Sequence, residues 1–362
     1  MKKNILRKVG ISSIEVIRKE MTLSEIFNSK KQIENIDTEI AKKIIDCNDI
    51  ELKKLQQYCL NLSEKYFNKD LAIFYPNKSF PSISITGDKC ALNCKHCNHH
   101  YLENMIHATN KKKLINICRD LDDSGANGCL ISGGFNDDAK LPLDNFLDAL
   151  KIIKKNTNLI LNLHTGLIDR KLAHNLGEIG IDLVSFDVAG DEYVINNIYG
   201  LEKNPNDYRN SLKWLLESEI GSIAPHICIG LNKNDPLSEY YSLSLIRDIP
   251  HINPEVIVLI AFIPTKGTNM ESIQAPSPEL ISKIICLTRL IFPTSEISLG
   301  CMRPKKKNLR NSIEKIAFNS GIQRIVLPSI AMANYFTSKN YNIKKYNSCC
   351  ALSNSQLRNR LK

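Results

Sequence analysis

From about Phe80 onward, short apolar runs alternate with segments whose apolar residues recur at helical spacing. The runs predict strands at residues 81–86, 128–132, 158–164, 181–187, 223–230, 255–263, 297–300 and 322–327. Between them, Thr109 can cap a helix with Leu114, Ile117, Cys118 and Leu121 on one face, closed by Gly125. Further helices are expected over 143–155, 169–178 and 207–217, and a weaker one between Pro236 and Asp248. Three more follow: one opening at Ser277-Pro278, with the expected cap and first-turn proline, one ending near Ser320, and one over 328–339. Eight β/α units predict an α/β fold, a (β/α)8 TIM-type barrel.

Ahead of the barrel, residues 1–76 read as an N-terminal helical extension, with Ile44, Ile45, Leu52, Leu55, Tyr58, Leu62 and Phe67 at helical spacing. The barrel is expected over 77–340, and 341–362 reads as an irregular C-terminal tail holding Cys349-Cys350. The longest apolar runs, such as 256–263, are too short to span a bilayer. The N-terminus lacks the apolar core of a signal peptide, so a soluble, cytoplasmic protein with no membrane association is expected. Twelve cysteines spread through 362 residues fit metal ligation in a reducing compartment rather than a disulfide framework. The formal charge of +10 sits in local runs, Lys111 to Lys113, Lys305 to Lys307, Lys344-Lys345, and Arg358, Arg360 and Lys362. Such runs are solvated faces. They suit an acidic protein partner, whereas nucleic acid is not expected without a recognition module or an aromatic platform.

Between the first strand and the first barrel helix stand Cys90, Cys94 and Cys97, spaced C-x3-C-x2-C. A [4Fe–4S] cluster normally takes four cysteines. A loop offering three leaves one iron open, and an open position is where a metal centre does chemistry. The loop follows a strand end, where parallel α/β folds place their active sites. The alternative is a structural zinc site made by Cys94, Cys97, His99 and His100, although a second ligand pair at matching spacing is missing.

Other chemistry-bearing residues fall at the same ends of strands. Gly133-Gly134 would let backbone approach a ligand with no Cβ in the way, or would simply make a tight turn. Asn162 with His164, Ser185 with Asp187, and His226 with Cys228 each share one strand face. Three successive strands thus aim a polar pair alike, as in a cavity lining. A second cysteine set consists of Cys301, directly after the seventh strand, and Cys349-Cys350. Thiols at the rim of a barrel that already holds a cluster suggest an auxiliary cluster; ordinary buried cysteine is the alternative. Cys129 and Cys228 compete as ligands, since their strands could turn them inward, while Cys47, Cys59, Cys118 and Cys286 read as structural.

The cysteine loop resembles the signature of the radical S-adenosylmethionine (SAM) enzymes. In that superfamily a [4Fe–4S] cluster held by three cysteines binds exchangeable SAM at its free iron. One electron splits SAM into methionine and a 5′-deoxyadenosyl radical, which takes a hydrogen atom from substrate. The resemblance implies that Cys90, Cys94 and Cys97 hold the cluster. Gly133 and Gly134 would contact the methionine amino group, Ser185 and Asp187 the ribose, and His164 and His226 the rest of the SAM pocket. The segment 224–230 is similar to the one that packs near the adenine. Where the usual glycine motif continues with an acid, this chain has Phe135, with Asp137 nearby.

From about Phe80 to Leu352 the chain resembles the biotin-synthase-like branch of that superfamily. The segments 298–304, 327–329 and 349–352 are similar to a mainly archaeal subgroup whose members act in pairs as a two-component lipoyl synthase. Sulfur-inserting members sacrifice a second cluster as sulfur source, which gives Cys301, Cys349 and Cys350 a role. The C-x4-C-x5-C motif of single-chain lipoyl synthases is absent, and Arg303 stands near the place of the arginine that helps hold biotin synthase's smaller cluster. The implied reaction is sulfur insertion into an unactivated C–H bond of an octanoylated lipoyl domain or H-protein. A paired radical SAM subunit and a ferredoxin or flavodoxin electron donor would serve it. The rivals are biotin-synthase-like or other cofactor-building radical chemistry (rearrangement or methylation), and a non-catalytic metal- or cluster-binding scaffold.

Overall fold

The computed structural model describes residues 36–250 and 252–359. Residues 1–35 of the expected extension lie outside the described residues, as do Arg360 and Lys362 of the basic tail. Two helices open the described chain, α1 (Thr38–Asp46) and α2 (Asp49–Phe67). Asp37 caps the first, and Asn48 and Glu51 form a reciprocal capping box on the second. Both pack on α8 (Pro278–Ile291), where Gln56 donates to Ser282 Oγ at 2.8 Å and Lys283 to the Ile45 carbonyl at 2.7 Å.

Among the described residues all strands join one parallel sheet. They are β1 (Asp70–Phe74), β2 (Ser82–Ser84), β3 (Ile106–His107), β4 (Gly128–Ser132), β5 (Ile160–Leu163), β6 (Leu183–Asp187), β7 (Ile223–Ile229), β8 (Val256–Ala261), β9 (Glu296–Leu299), β10 (Arg324–Val326) and β11 (Asn342–Tyr346). The spatial order is β11-β1-β10-β9-β8-β7-β6-β5-β4-β2-β3, so the eight expected strands lie side by side in sequence order. The hydrogen-bonded ladder stays open between the edges β3 and β11, and the barrel is a partial one. The outer face is covered by α3 (Lys111–Asp123), α4 (Leu147–Asn156), α5 (Arg170–Ile179), α6 (Pro205–Leu216), α7 (Ser238–Arg247), α8 and α9 (Lys307–Asn319). A short α10 (Ile330–Thr337) and α11 (Asn354–Asn359) complete the chain. The cap of α3 is Asn110, whose side chain accepts from the Lys113 N–H, rather than Thr109. No helix among the described residues is long and apolar enough to cross a membrane.

The sheet exceeds both ends of the expected barrel. Asp70–Phe74 pairs with β10 and β11, and the stretch from Asn342 supplies an edge strand where the sequence reads as irregular. Beyond it the chain closes the sheet's inner face from below. Cys350, Ala351, Leu352 and Leu357 pack with Ile160, Leu183, Ala224 and Val256, the first residues or nearly so of β5 to β8. Gln356 donates to the Asp182 carbonyl at 2.6 Å, and Asn127 to the Asn347 carbonyl at 2.9 Å.

Arg324, wholly buried, clamps this floor. Its guanidinium donates to the carbonyls of Cys350 (2.8 Å) and Leu352, to Asn354 and to Glu296, and lies over the Phe74 ring. Removing one partner of a buried ionic network leaves the others uncompensated. Arg324→Ala is therefore expected to lower stability by about 3–5 kcal/mol in urea unfolding. A loss below about 1 kcal/mol, the worth of one ordinary hydrogen bond, would show that the floor does not depend on it.

Candidate active site

The cysteine loop leaves β2 and is fastened to the loop after β4 by backbone. Gly134 N–H donates to Thr86 Oγ1 at 2.7 Å, Ala91 N–H to the Phe135 carbonyl at 2.8 Å, and Phe135 N–H to Cys90 Sγ at 3.3 Å. A Cβ on Gly134 would fall 2.0 Å from the Lys89 carbonyl oxygen and 2.5 Å from Cys90 Cα, so only glycine fits. The other side of the loop rests on the turn after β6, where Lys95 N–H reaches the Ile198 carbonyl at 2.8 Å and Cys94 Sγ the Tyr199 carbonyl at 3.5 Å.

The donor set fits thiolate ligation. Asn98 and His99 take the left-handed conformation (φ 41° and 64°), which curls their backbone around Cys97, the Asn98 N–H donating to the Cys94 carbonyl at 3.0 Å. The Cys94 thiol hydrogen-bonds Cys97, and with the Asn98 and His99 N–H groups it holds Cys97 down at about 7 against the effect of burial. The Phe135 N–H at Cys90 is the kind of contact that tunes cluster sulfur. The zinc alternative fares worse. His99 Nε2 is engaged by the Leu92 carbonyl at 2.8 Å, and His100 faces Glu103 at 3.6 Å. Among the described residues no three His, Cys, Asp or Glu side chains converge on one ion. Zinc needs all its donors within about 2.3 Å of a single centre, whereas a cluster distributes its cysteines over separate irons.

Next along the sheet, His164 and Asp187 meet at 2.9 Å, with Ser132 Oγ 3.4 Å from the other ring nitrogen of His164. Burial disfavours both charges, yet each offsets it for the other: Asp187 is held down at about 2 and His164 is raised above its ordinary value. His226 lies beside them, its ring 6.5 Å from that of His164, and burial lowers it. Its Nδ1 contacts the Ala224 carbonyl at 2.9 Å. Ser185 sits lower on β6 and bonds Asn162 at 2.9 Å, one layer below Asp187. Thr86 and His96 are site residues that the sequence reading passed over. His96 sits between two of the cysteines, is driven down to about 4 by burial, and keeps a buried Nδ1 with no partner among the described residues. Its place inside the C-x2-C step was the available signal.

The second cysteine set comes from different levels of the sheet. Cys301 follows the upper end of β9, while Cys349 and Cys350 rise from the floor rather than from the rim. The Cys301 thiol is raised by burial first and by Cys350 second. Cys349 accepts from Asn162 at 3.6 Å and is lowered chiefly by the Cys350 thiol. The two competitors lie elsewhere. Cys129 faces the helical layer and pairs with Cys118, and Cys228 packs near Leu231, Phe262 and Met270 above β7 and β8. Arg303 is not free to ligate, because it is committed to Gly300, Glu314, Val326 and Leu327.

No family model matches the chain. Among curated proteins it is 24% identical over 270 residues to a biotin synthase of Clostridium acetobutylicum, covering 72% of this chain and 77% of that one. A biotin synthase of Coxiella burnetii is 26% identical over 235 residues, covering 61% and 68%. In sequence the chain is thus similar to biotin synthases. The fold is shared with a methylornithine synthase (TM-score 0.60, 16% identity, 84% of each chain). It is shared also with HydG, an [FeFe]-hydrogenase maturase of Carboxydothermus hydrogenoformans (TM-score 0.64, 16% identity, 94% of this chain and 82% of that one).

Two outcomes follow from this geometry. Gly134→Ala should displace the cysteine loop and cut the iron retained after anaerobic reconstitution by more than about half, since a side chain cannot share that space; full iron content would show the contact to be dispensable. The Asp187 share of the ion pair's stabilisation is present above about pH 4 and is lost as the pH falls toward 2. The His164 share is present below about pH 6.5 and is lost as the pH rises through its raised value. In Asp187→Asn the His164 imidazole, followed by NMR, should titrate below its ordinary 6.5, because burial then acts alone. An unchanged midpoint would exclude the ion pair.

Proposed function

We propose that this chain is a radical SAM enzyme that inserts sulfur into an unactivated C–H bond, as one component of a two-component lipoyl synthase. Its substrate would be an octanoylated lipoyl domain or H-protein. The observation that carries the reading is the three-cysteine loop, whose sulfurs meet backbone N–H donors at Cys90 and Cys97 and whose position against Gly134 admits no side chain. When bound, a [4Fe–4S] cluster and SAM supply one-electron reductive cleavage and hydrogen-atom abstraction, chemistry that acid–base side chains cannot provide.

The protein's own part is to bind, orient and exclude water. Cys90, Cys94 and Cys97 hold the cluster. Gly133 and Gly134 bring bare backbone beside it, and His164, Asp187 and His226 offer a fixed set of donors and acceptors to the polar face of SAM. The apolar floor keeps water from the chamber beneath. Cys301, Cys349 and Cys350 would hold the sacrificial cluster. A ferredoxin or flavodoxin would deliver the electron, and a second radical SAM chain would complete the pair.

Anaerobically reconstituted protein is expected to carry about eight irons per chain, two cubane clusters' worth. Changing Cys90, Cys94 and Cys97 to Ala should remove about half of them and all 5′-deoxyadenosine formation. Changing Cys301, Cys349 and Cys350 to Ala should remove the other half while SAM cleavage survives. Unchanged iron in either variant would reject the corresponding site. The similarity to biotin synthases favours a second reading, cofactor-building radical chemistry on a small free substrate. A product assay on an octanoyl-lysine peptide, with and without a paired chain, separates the two.

A further inference from the structure

We propose that the rim formed by the loops after β9 and β10 is a docking surface for an acidic protein that carries the substrate on an apolar chain. The inference rests on the acyl-substrate reading above. It starts from Leu327, the residue after β10, which is held at φ 45°. That conformation is uncommon for a bulky residue and costs roughly 1–2 kcal/mol. Such strain persists only where the surroundings over-determine it, and it gathers at functional positions.

The surroundings here are a buried ionic network. Arg303 and Glu314 are 3% and 0% exposed. Arg303 donates to Glu314 at 2.6 Å, to the Gly300 carbonyl at 2.7 Å, to the Val326 carbonyl at 2.8 Å and to the Leu327 carbonyl at 3.2 Å. Glu314 also accepts from Arg310 Nε at 2.9 Å and from the Ser329 N–H at 2.8 Å, and Arg310 reaches the Leu327 carbonyl. One carboxylate and two guanidiniums thus tie together the end of β9, the end of β10 and the start of α10.

What this network presents outward is apolar. Leu327 is 36% exposed and Ile330 83%, the most exposed large hydrophobic side chain among the described residues. Ala331 beside it is exposed as well. The remaining exposed apolar residues, such as Ile50, Ile152 and Leu216, are scattered singly over other elements and need no explanation. Lys305, Lys306 and Lys307, all exposed, lead from Arg303 into the first residue of α9, the helix whose Arg310 reaches the Leu327 carbonyl. No ion pair to them occurs among the described residues. An apolar centre flanked by unpaired cations is complementary to an acidic surface that offers an apolar group.

The location selects the occupant. All strands are parallel, so the loops after β9 and β10 open on the same side of the sheet as the cysteine loop after β2. Cys301 begins the loop that carries the three lysines. A partner seated on this rim would hold its chain at the mouth of the chamber.

The test uses the full-length, anaerobically reconstituted protein, octanoylated H-protein as the acidic carrier, and a free octanoyl-lysine peptide. The variants are the triple Lys305→Glu, Lys306→Glu, Lys307→Glu and the single Ile330→Asp, both on exposed positions. Each is expected to raise the Kd for labelled H-protein by about tenfold or more, and wild-type binding should weaken steeply with salt. The KM for the carrier should rise in step, while turnover of the free peptide stays within about twofold, because the peptide needs no rim. An unchanged Kd in both variants overturns the proposal. So does conversion of the peptide by wild-type protein that does not bind H-protein, an outcome that leaves the reaction standing. Failure to cleave SAM, or to convert the peptide even with the paired chain present, overturns the reaction instead, and a variant-sensitive Kd would still support docking. Binding to phosphatidylglycerol vesicles without H-protein binding, or a dimer that the variants dissociate in sedimentation, would assign the patch to a membrane or to a second copy and overturn the proposal.

Discussion

The site depends on one close approach of backbone to backbone. The turn after β4 lies so near the cysteine loop that Gly134 has no room for a methyl group, and three hydrogen bonds cross the gap. Because β4 is anchored between β2 and β5, the loop inherits the rigidity of the sheet although it is itself irregular. A metal-binding loop made in this way is pre-organised: its thiols face N–H groups that are already in place, and little ordering remains to be done when ligands arrive.

Beneath that contact the inner face of the sheet is graded. At the lowest level are Ile160, Leu183, Ala224 and Val256, sealed by Leu352 and Leu357. Above them Asn162 and Ser185 hydrogen-bond each other and meet Cys349. Above those again sit His164, Asp187 and His226. Polarity thus rises toward the open side of the sheet and falls toward the closed side.

Much of this was readable in the chain. The eight central strands are nearly continuous apolar runs, as strands buried on both faces must be, and the period of two put Asn162, His164, Ser185 and Asp187 on one face. The outer strands were hidden for physical reasons. Asn342–Tyr346 is an edge strand with no fully buried side chain and hence no alternation, and Asp70–Phe74 follows α2 so closely that its apolar residues merge with the helical pattern. Cys129 stands on a strand that could turn it inward, but its neighbours Leu130 and Ser132 occupy that face and turn it toward Cys118. Arg324 gave no signal either. A charged residue in a strand ordinarily reads as exposed, and only the carbonyls of a segment almost thirty residues onward explain its burial.

That later segment has a bearing on how the molecule is made. Translation delivers the chain from one end, and β1 must wait for β10 and β11 before it has any neighbour in the sheet. The floor is laid last of all, when residues 347–357 thread beneath strands that have already aligned. Until then the lower, apolar ends of β5 to β8 lack their cover, so sealing of the sheet's inner face is a late event in the life of the chain.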